Sequence, residues 1–267
     1  MVFGSARPVA KMMAAGLAWA ALLPAPISAT EVDSPCQAPT QTVANSAPLP
    51  HLEQLLRAKK PVRVLAIGSS STVGVGASSP TANYPSRLGV ELGKTFKDLR
   101  LVMINRGVSG EIAETTAERI RREVPLTKPD LVLWQVGTND ALSRIPVSDF
   151  SETVSRTLKW LKKMDVEVVV VGMQFTKPLS RDAHYKLLKD ALKQVAQEEN
   201  VPLIKRYEAM QHIDQARAKL SLMSSDELHL NDLGYRCMAE HVASGIMTSV
   251  SPGDQAKPAA VSSAPAQ

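Results

Sequence analysis

Ser70 follows the apolar run Val62-Arg63-Val64-Leu65-Ala66-Ile67 and Gly68. Gly137-Thr138-Asn139-Asp140 closes a second such run, and Asp226 and His229 stand three residues apart near the C-terminus. A hydroxyl, a side-chain amide and a carboxylate–histidine pair are the parts needed for nucleophilic catalysis by serine. In that chemistry Ser70 attacks, His229 takes its proton, and Asp226 holds the imidazole tautomer. The loop Asn105-Arg106-Gly107-Val108-Ser109-Gly110-Glu111 adds two glycines that let backbone approach a ligand closely. Gly110 is expected to start a helix, where free N–H groups favour an anion. Its amide is a candidate oxyanion donor, beside the Ser70 amide and the Asn139 side chain.

Each piece alone also has an ordinary reading. Serine, asparagine and aspartate occupy caps and turns for local reasons. A phosphate-binding loop is disfavoured, because Gly68, Gly74 and Gly76 do not make GxGxxG and no Gly-Lys-Ser/Thr follows. A metal site is disfavoured too: Asp226 and His229 have no nearby His, Asp or Glu cluster to supply further ligands. No cofactor or metal is therefore expected.

The elements that must position these residues alternate. Short apolar runs rich in β-branched residues occur at Val62–Ile67, Leu101–Ile104, Leu131–Val136 and Val166–Val171, with a weaker one at Pro202–Ile204. Continuous apolar character suits strands covered on both faces. Helical periodicity falls between them, over Pro85–Phe96, Ala113–Glu123, Phe150–Met164 and Ala183–Glu199, with a last helix over Asp232–Met247. Strand–helix alternation predicts right-handed crossovers and a parallel sheet. The expected fold is α/β: a flavodoxin-like three-layer α/β/α sandwich of about five parallel strands. Ligands of such sheets bind beyond the carboxyl ends of the strands, where the loops at Gly68, Asn105, Gly137 and Gly172 begin.

The ends of the chain have a different character. Arg7 and Lys11, the apolar stretch Met12–Leu23 and the small residues up to Ala29 follow the order of a secretory signal. Residues 1–29 are thus expected to be a cleaved signal peptide, with the mature chain periplasmic or secreted and not stably inserted in a membrane. The Pro-, Ser- and Thr-rich stretch 30–50 reads as a flexible linker, 51–250 as one domain, and 251–267 as a disordered tail. Arg7 and Lys11 carry two of the +5 formal charges, leaving +3, and Lys59-Lys60 and Lys162-Lys163 are short runs flanking periodic segments. No nucleic-acid partner is expected from so mild a balance. Cys36 and Cys237 form no CxxC or ligand cluster. An oxidising compartment permits a disulfide between them; a buried thiol at Cys237 and a loose one at Cys36 is the alternative.

Taken in order, Gly68-Ser69-Ser70, Ser109-Gly110-Glu111 with Asn105 before it, Gly137-Thr138-Asn139-Asp140 and Asp226-Glu227-Leu228-His229 resemble the four motif blocks of the SGNH/GDSL hydrolase superfamily. The resemblance spans about Val62 to Val250. It implies a serine esterase with Ser70, Asp226 and His229 catalytic, and with Ser70, Gly110 and Asn139 forming the oxyanion hole. The first block departs from the usual pattern: Ser69 stands where the superfamily has an aspartate that supports the loop. More loosely, Gly172 to Tyr185 is similar to the substrate loop of the bacterial thioesterase, lysophospholipase and arylesterase members. There Met173, Gln174, Phe175 and Tyr185 are either pocket-lining or loop-anchoring. The implied substrates are small-molecule, lipid or glycan esters, including O-acetyl groups on polysaccharide or peptidoglycan. An inactive glycan- or envelope-binding domain is the alternative of another class, and fold alone would also admit a nucleotide-binding protein.

Overall fold

The computed structural model describes residues 1, 2, 4 and 34–250. The expected signal peptide, apart from those first positions, and the expected tail 251–267 lie outside the described residues. From Ser34 onward the order is α1 (Thr40–Val43), β1 (Ala44–Asn45), α2 (Pro50–Arg57), β2 (Val62–Gly68), α3 (Ser70–Val73), α4 (Tyr84–Thr95), β3 (Leu101–Gly107), α5 (Ala113–Thr127), β4 (Leu131–Gln135), α6 (Thr138–Leu142), α7 (Val147–Lys163), β5 (Glu167–Val171), α8 (Ala183–Glu198), β6 (Leu203–Ile204), α9 (Arg206–Ala216) and α10 (Asp232–Val250).

The six strands form one sheet in the order β1-β6-β5-β4-β2-β3. Five pair in parallel and β1 runs antiparallel to β6. The parallel strands thus have the doubly wound 2-1-3-4-5 order, extended by one short antiparallel edge strand. Strand β4 is buried along its whole length, and β2 everywhere except Arg63, which is why both read as unbroken apolar runs. The helices pack in two groups, α4 with α10 and α5 with α7 and α8. Right-handed crossovers from the central strand in both directions place one group on each face. Local signals set several helix starts. Asn83 Oδ1 accepts the Ser86 amide ahead of α4, and the Asp182 carboxylate accepts the amides of His184 and Tyr185 ahead of α8.

Three differences from the sequence reading follow from contacts between distant segments. The stretch expected as a flexible linker over 30–50 is, from Ser34, part of the domain. β1 pairs with β6, Val43, Ala47 and Leu49 are buried, and Cys36 is disulfide-bonded to Cys237 of α10 with the Cα atoms 4.8 Å apart. The Cys36 carbonyl also receives the His241 ring nitrogen at 2.8 Å. Composition suggested a tether because none of these partners is local. Helix α9, which sequence periodicity does not predict, forms after β6 and buries Arg206, Tyr207, Met210 and Ile213. Helix α5 starts at Ala113, as its periodicity predicts, so Gly110, expected at a helix start, lies in the preceding turn instead. Its start is fixed from outside: the Asp140 carboxylate accepts the Ala113 amide at 2.8 Å.

Two tests come from these contacts. Replacing Cys36 and Cys237 by serine removes a crosslink spanning 201 residues. It should lower unfolding stability by about 2–4 kcal/mol, read as a lower urea midpoint that added reductant no longer shifts. For Asp140, burial pushes the carboxyl up to about 6, against the amides of Ala113, Asp140 and Gly137 that favour its charged form. The folded value lies above the unfolded one of about 4, so this group's stabilisation is full below pH ~4 and is lost as pH rises through ~6. The stability difference between wild type and Asp140→Asn should therefore decline by on the order of 2 kcal/mol from pH ~4 to ~7. A difference that stays flat across that window in urea titrations would remove Asp140 as its source.

Candidate active site

At the carboxyl end of β2 the chain turns directly into α3, with Ser69 in extended conformation before it and Ser70 as its first residue. The turn is held from below by Gln135 at the end of β4. Its Oε1 accepts the Ser69 amide and hydroxyl, each at 2.9 Å, and the Thr72 hydroxyl at 3.3 Å. Ser69 and Gln135 are both buried. The loop-supporting role that the resemblance gives to an aspartate is carried here by a neutral hydroxyl–amide pair. From the β3 side, Asn105 donates its amide to the Thr72 carbonyl at 2.7 Å and accepts the Gly107 amide at 2.9 Å. Ser70 itself is half-buried, and its amide lies in the first turn of α3, where helical partners are lacking.

The loop after β3 is tied to the loop after β4. Asn139 donates one amide hydrogen to the Glu111 carbonyl at 2.8 Å, which leaves the other for a ligand. Gly110 precedes that carbonyl with φ +81°, is exposed, and has open space where a side chain would project. Glycine adopts this left-handed conformation at little cost, and the open side leaves the backbone accessible.

Asp226 and His229 lie in a turn between α9 and α10, closed by the Ser224 amide donating to the His229 carbonyl at 2.7 Å. His229 Nδ1 is 2.5 Å from one Asp226 oxygen. The other oxygen accepts the His229 and Leu228 amides and the Ser224 hydroxyl. The bond to the imidazole, then these amides and the hydroxyl, hold the Asp226 carboxyl well below the usual carboxylate range. With Nδ1 engaged as donor, Nε2 is left as the proton acceptor.

The Ser70 turn and the His229 loop are packed together. A Cβ on Gly76 would lie 3.2 Å from the His229 Cβ and 2.5 Å from the Leu230 carbonyl, so only glycine admits this approach. Val75 accepts the Tyr235 hydroxyl at 2.7 Å, while the Gly74 and Val75 amides both return to the Ser70 carbonyl. The structure thus brings the Asp226–His229 pair together and seats its loop on the Ser70 turn. Among the described residues no hydrogen bond joins Ser70 Oγ to the imidazole. Such bonds are often long without substrate and tighten when it binds.

Of the expected substrate-loop residues, Met173, Gln174 and Tyr185 are loop anchors. Met173 packs beneath Gly137. The Tyr185 hydroxyl donates to the Gln174 carbonyl at 2.7 Å, and the Gln174 side chain donates to the Leu228 carbonyl at 2.8 Å. Their burial, 1 % to 3 % exposed, keeps them from lining an open pocket. Phe175 does border a cavity of about 400 Å³, with Met210, Leu222, Met223 and Ser224. Sequence reasoning passed over Gln135 and Arg206. Both stand at or just past the carboxyl end of a parallel strand, and that position was the available signal. Among the described residues no group of three or more His, Cys, Asp or Glu side chains is placed to hold a metal ion, and no helix is long and apolar enough to cross a membrane.

Comparisons with known proteins agree with this architecture. No curated protein matches the chain. Among solved structures, a two-domain esterase (CEX) active on acetylated mannans, co-crystallized with mannopentaose, aligns with TM-score 0.67 and 20 % identity. That alignment covers 80 % of this chain but 58 % of the esterase, so the chain spans less than two thirds of its length. TesA aligns with TM-score 0.59 and 18 % identity, covering 71 % of this chain and 98 % of TesA. The psychrotrophic esterase EstA from Pseudoalteromonas sp., inhibited by monoethylphosphonate, aligns with TM-score 0.58 and 19 % identity, covering 70 % of this chain and 97 % of EstA. At these identities the likeness is one of fold. The model of the Non-GDSL lipase-like family matches residues 35–252. With Ser69 in place of the aspartate and the remaining blocks in order, the chain belongs to the Non-GDSL lipase-like family, within the SGNH/GDSL hydrolase superfamily.

Proposed function

We propose that this protein is an exported serine esterase that cleaves carboxylic esters through an acyl-enzyme on Ser70. The observation that carries the reading is the 2.5 Å contact between Asp226 and His229 Nδ1, on a loop packed against the Ser70 turn. His229 Nε2 takes the Ser70 proton as Oγ bonds to the ester carbonyl carbon. Asp226, kept ionised by its four donors, stabilises the imidazolium that results. The charge on the carbonyl oxygen is met by the amides of Ser70 and Gly110 and by the free Asn139 amide hydrogen. The intermediate collapses with loss of the alcohol, which takes the proton from His229. Water then attacks the acyl carbon, His229 removes its proton, and Ser70 leaves with that proton as the acid is released.

Export is supported by the Cys36–Cys237 disulfide, a bond that persists in oxidising compartments, and by the order of basic, apolar and small residues before Ala29. The periplasm or the exterior is the location this reading assigns. A second reading, an O-acetylesterase acting on glycan by the same steps, is favoured by the mannan-active esterase that aligns over 80 % of this chain.

A panel of p-nitrophenyl acyl esters and acetylated glycans separates these readings by chain-length preference. Ser70→Ala should abolish both turnover and labelling by a fluorophosphonate, and an unlabelled wild type would identify a binding domain without catalysis. Asn139→Ala should lower kcat by about 10²–10³-fold, the usual cost of one oxyanion donor. Wild-type kcat in that variant would take Asn139 out of the mechanism.

A further inference from the structure

Arg206 is the first residue of α9, just beyond the carboxyl end of β6, and only 1 % exposed. Among the described residues no carboxylate pairs with it. Among the described residues its Nε and Nη1 have no hydrogen-bond partner, while Nη2 donates to Ser71 Oγ at 3.2 Å and to Gln174 Oε1 at 2.8 Å. Gln174 then donates its own amide to the Leu228 carbonyl at 2.8 Å. One buried nitrogen therefore connects the residue after Ser70 to the residue before His229.

Burying a guanidinium without a counter-ion costs stability, and a well-packed apolar side chain would avoid that cost. Burial pushes the group down from its usual value, the direction expected of an uncompensated cation. The phenols around it have structural duties on the Ser70 turn and on the bridging Gln174 segment after β5. Tyr235 holds Val75 after Ser70, and Tyr185 holds the Gln174 backbone. The polar groups at this spot thus converge on the spacing between two loops that share no strand pairing.

We infer that Arg206 is a positioning residue for the hydrolysis proposed above, on which this inference rests. Its guanidinium sets the distance between the Ser70 turn and the His229 loop by gripping Ser71 on one side and, through Gln174, Leu228 on the other. Arg206 does not touch the reacting atoms. It acts through the geometry in which the Ser70 hydroxyl meets the imidazole.

The test compares wild type with Arg206→Met, Arg206→Lys, Ser71→Ala and the Ser71→Ala/Arg206→Met double variant. It reads p-nitrophenyl acetate turnover and the rate of fluorophosphonate labelling, with folding followed by circular dichroism. Arg206→Met should lower kcat and the labelling rate by about 10²-fold with KM within about twofold, as a misplacement of reacting groups does. Arg206→Lys keeps the charge and one donor and should recover part of the loss. Ser71→Ala should lower kcat about tenfold, and the double variant should be no slower than Arg206→Met, since both cut one connection. A folded Arg206→Met with wild-type kcat and labelling overturns the inference, as does full additivity in the double variant. Should Arg206→Met not fold, Ser71→Ala decides alone, because it leaves the guanidinium buried; wild-type kcat there overturns the inference. A wild-type protein that takes up no fluorophosphonate defeats the hydrolase reading itself and the role of Arg206 with it.

Discussion

Between β2 and β4 the sheet changes the direction in which it is built, and the Gln135 side chain spans that point. The chain leaves β2 for β3 on one side and later returns to β4 on the other, so the loops above these neighbouring strands diverge. That divergence opens the crevice in which doubly wound proteins bind ligands. The β2–β4 backbone ladder ends at Ile67 and Trp134, below these loops. Gln135 replaces the ladder with one oxygen accepting three donors from the Ser70 turn. The same solution recurs around the rim: Asn105 to Thr72, Asn139 to Glu111, Asp140 to Ala113 and Gln174 to Leu228. The site is a ring of loops laced by side-chain amides and carboxylates.

Two carboxylates at this rim show how surroundings divide one chemical type into two roles. Asp226 is exposed and surrounded by donors, so its charged form is favoured and it is suited to face an imidazolium. Asp140 is 1 % exposed, with one oxygen on the Ala113 amide and the other without a hydrogen-bond partner among the described residues, so burial penalises its charged form. Its work is architectural, joining α6 to the start of α5. In the sequence only the spacing of Asp226 to His229 separates the two; the burial of Asp140 is not legible there.

What the sequence revealed was set by locality. The central strands announced themselves because burial on both faces demands an unbroken apolar run, and all five expected helices lie within a few residues of their predicted bounds. The Asp226–His229 pair was readable because three residues of spacing can be closed by a single turn. The order of the motif blocks gave the superfamily. What escaped depends on contacts that no window contains. Residues 34–50 carry a linker's composition and are ordered by a covalent bond and a strand partner near the other end of the chain. For Met173, Gln174 and Tyr185 the sequence left pocket-lining and loop-anchoring both open, and only tertiary burial decides for anchoring. Arg206 looked like an ordinary charged residue at a helix start, and only the three-dimensional arrangement shows it enclosed.

The strap formed by residues 34–50 imposes an order of events on the maturing chain. This stretch is made before the other parts of the domain, yet its strand partner β6 comes after five earlier strands and its covalent partner lies on α10, the last helix. Closing so long a loop is slow, because entropy is lost well before any contact repays it. The earliest-synthesised part of the domain must therefore wait, unpaired, until nearly the whole polypeptide exists.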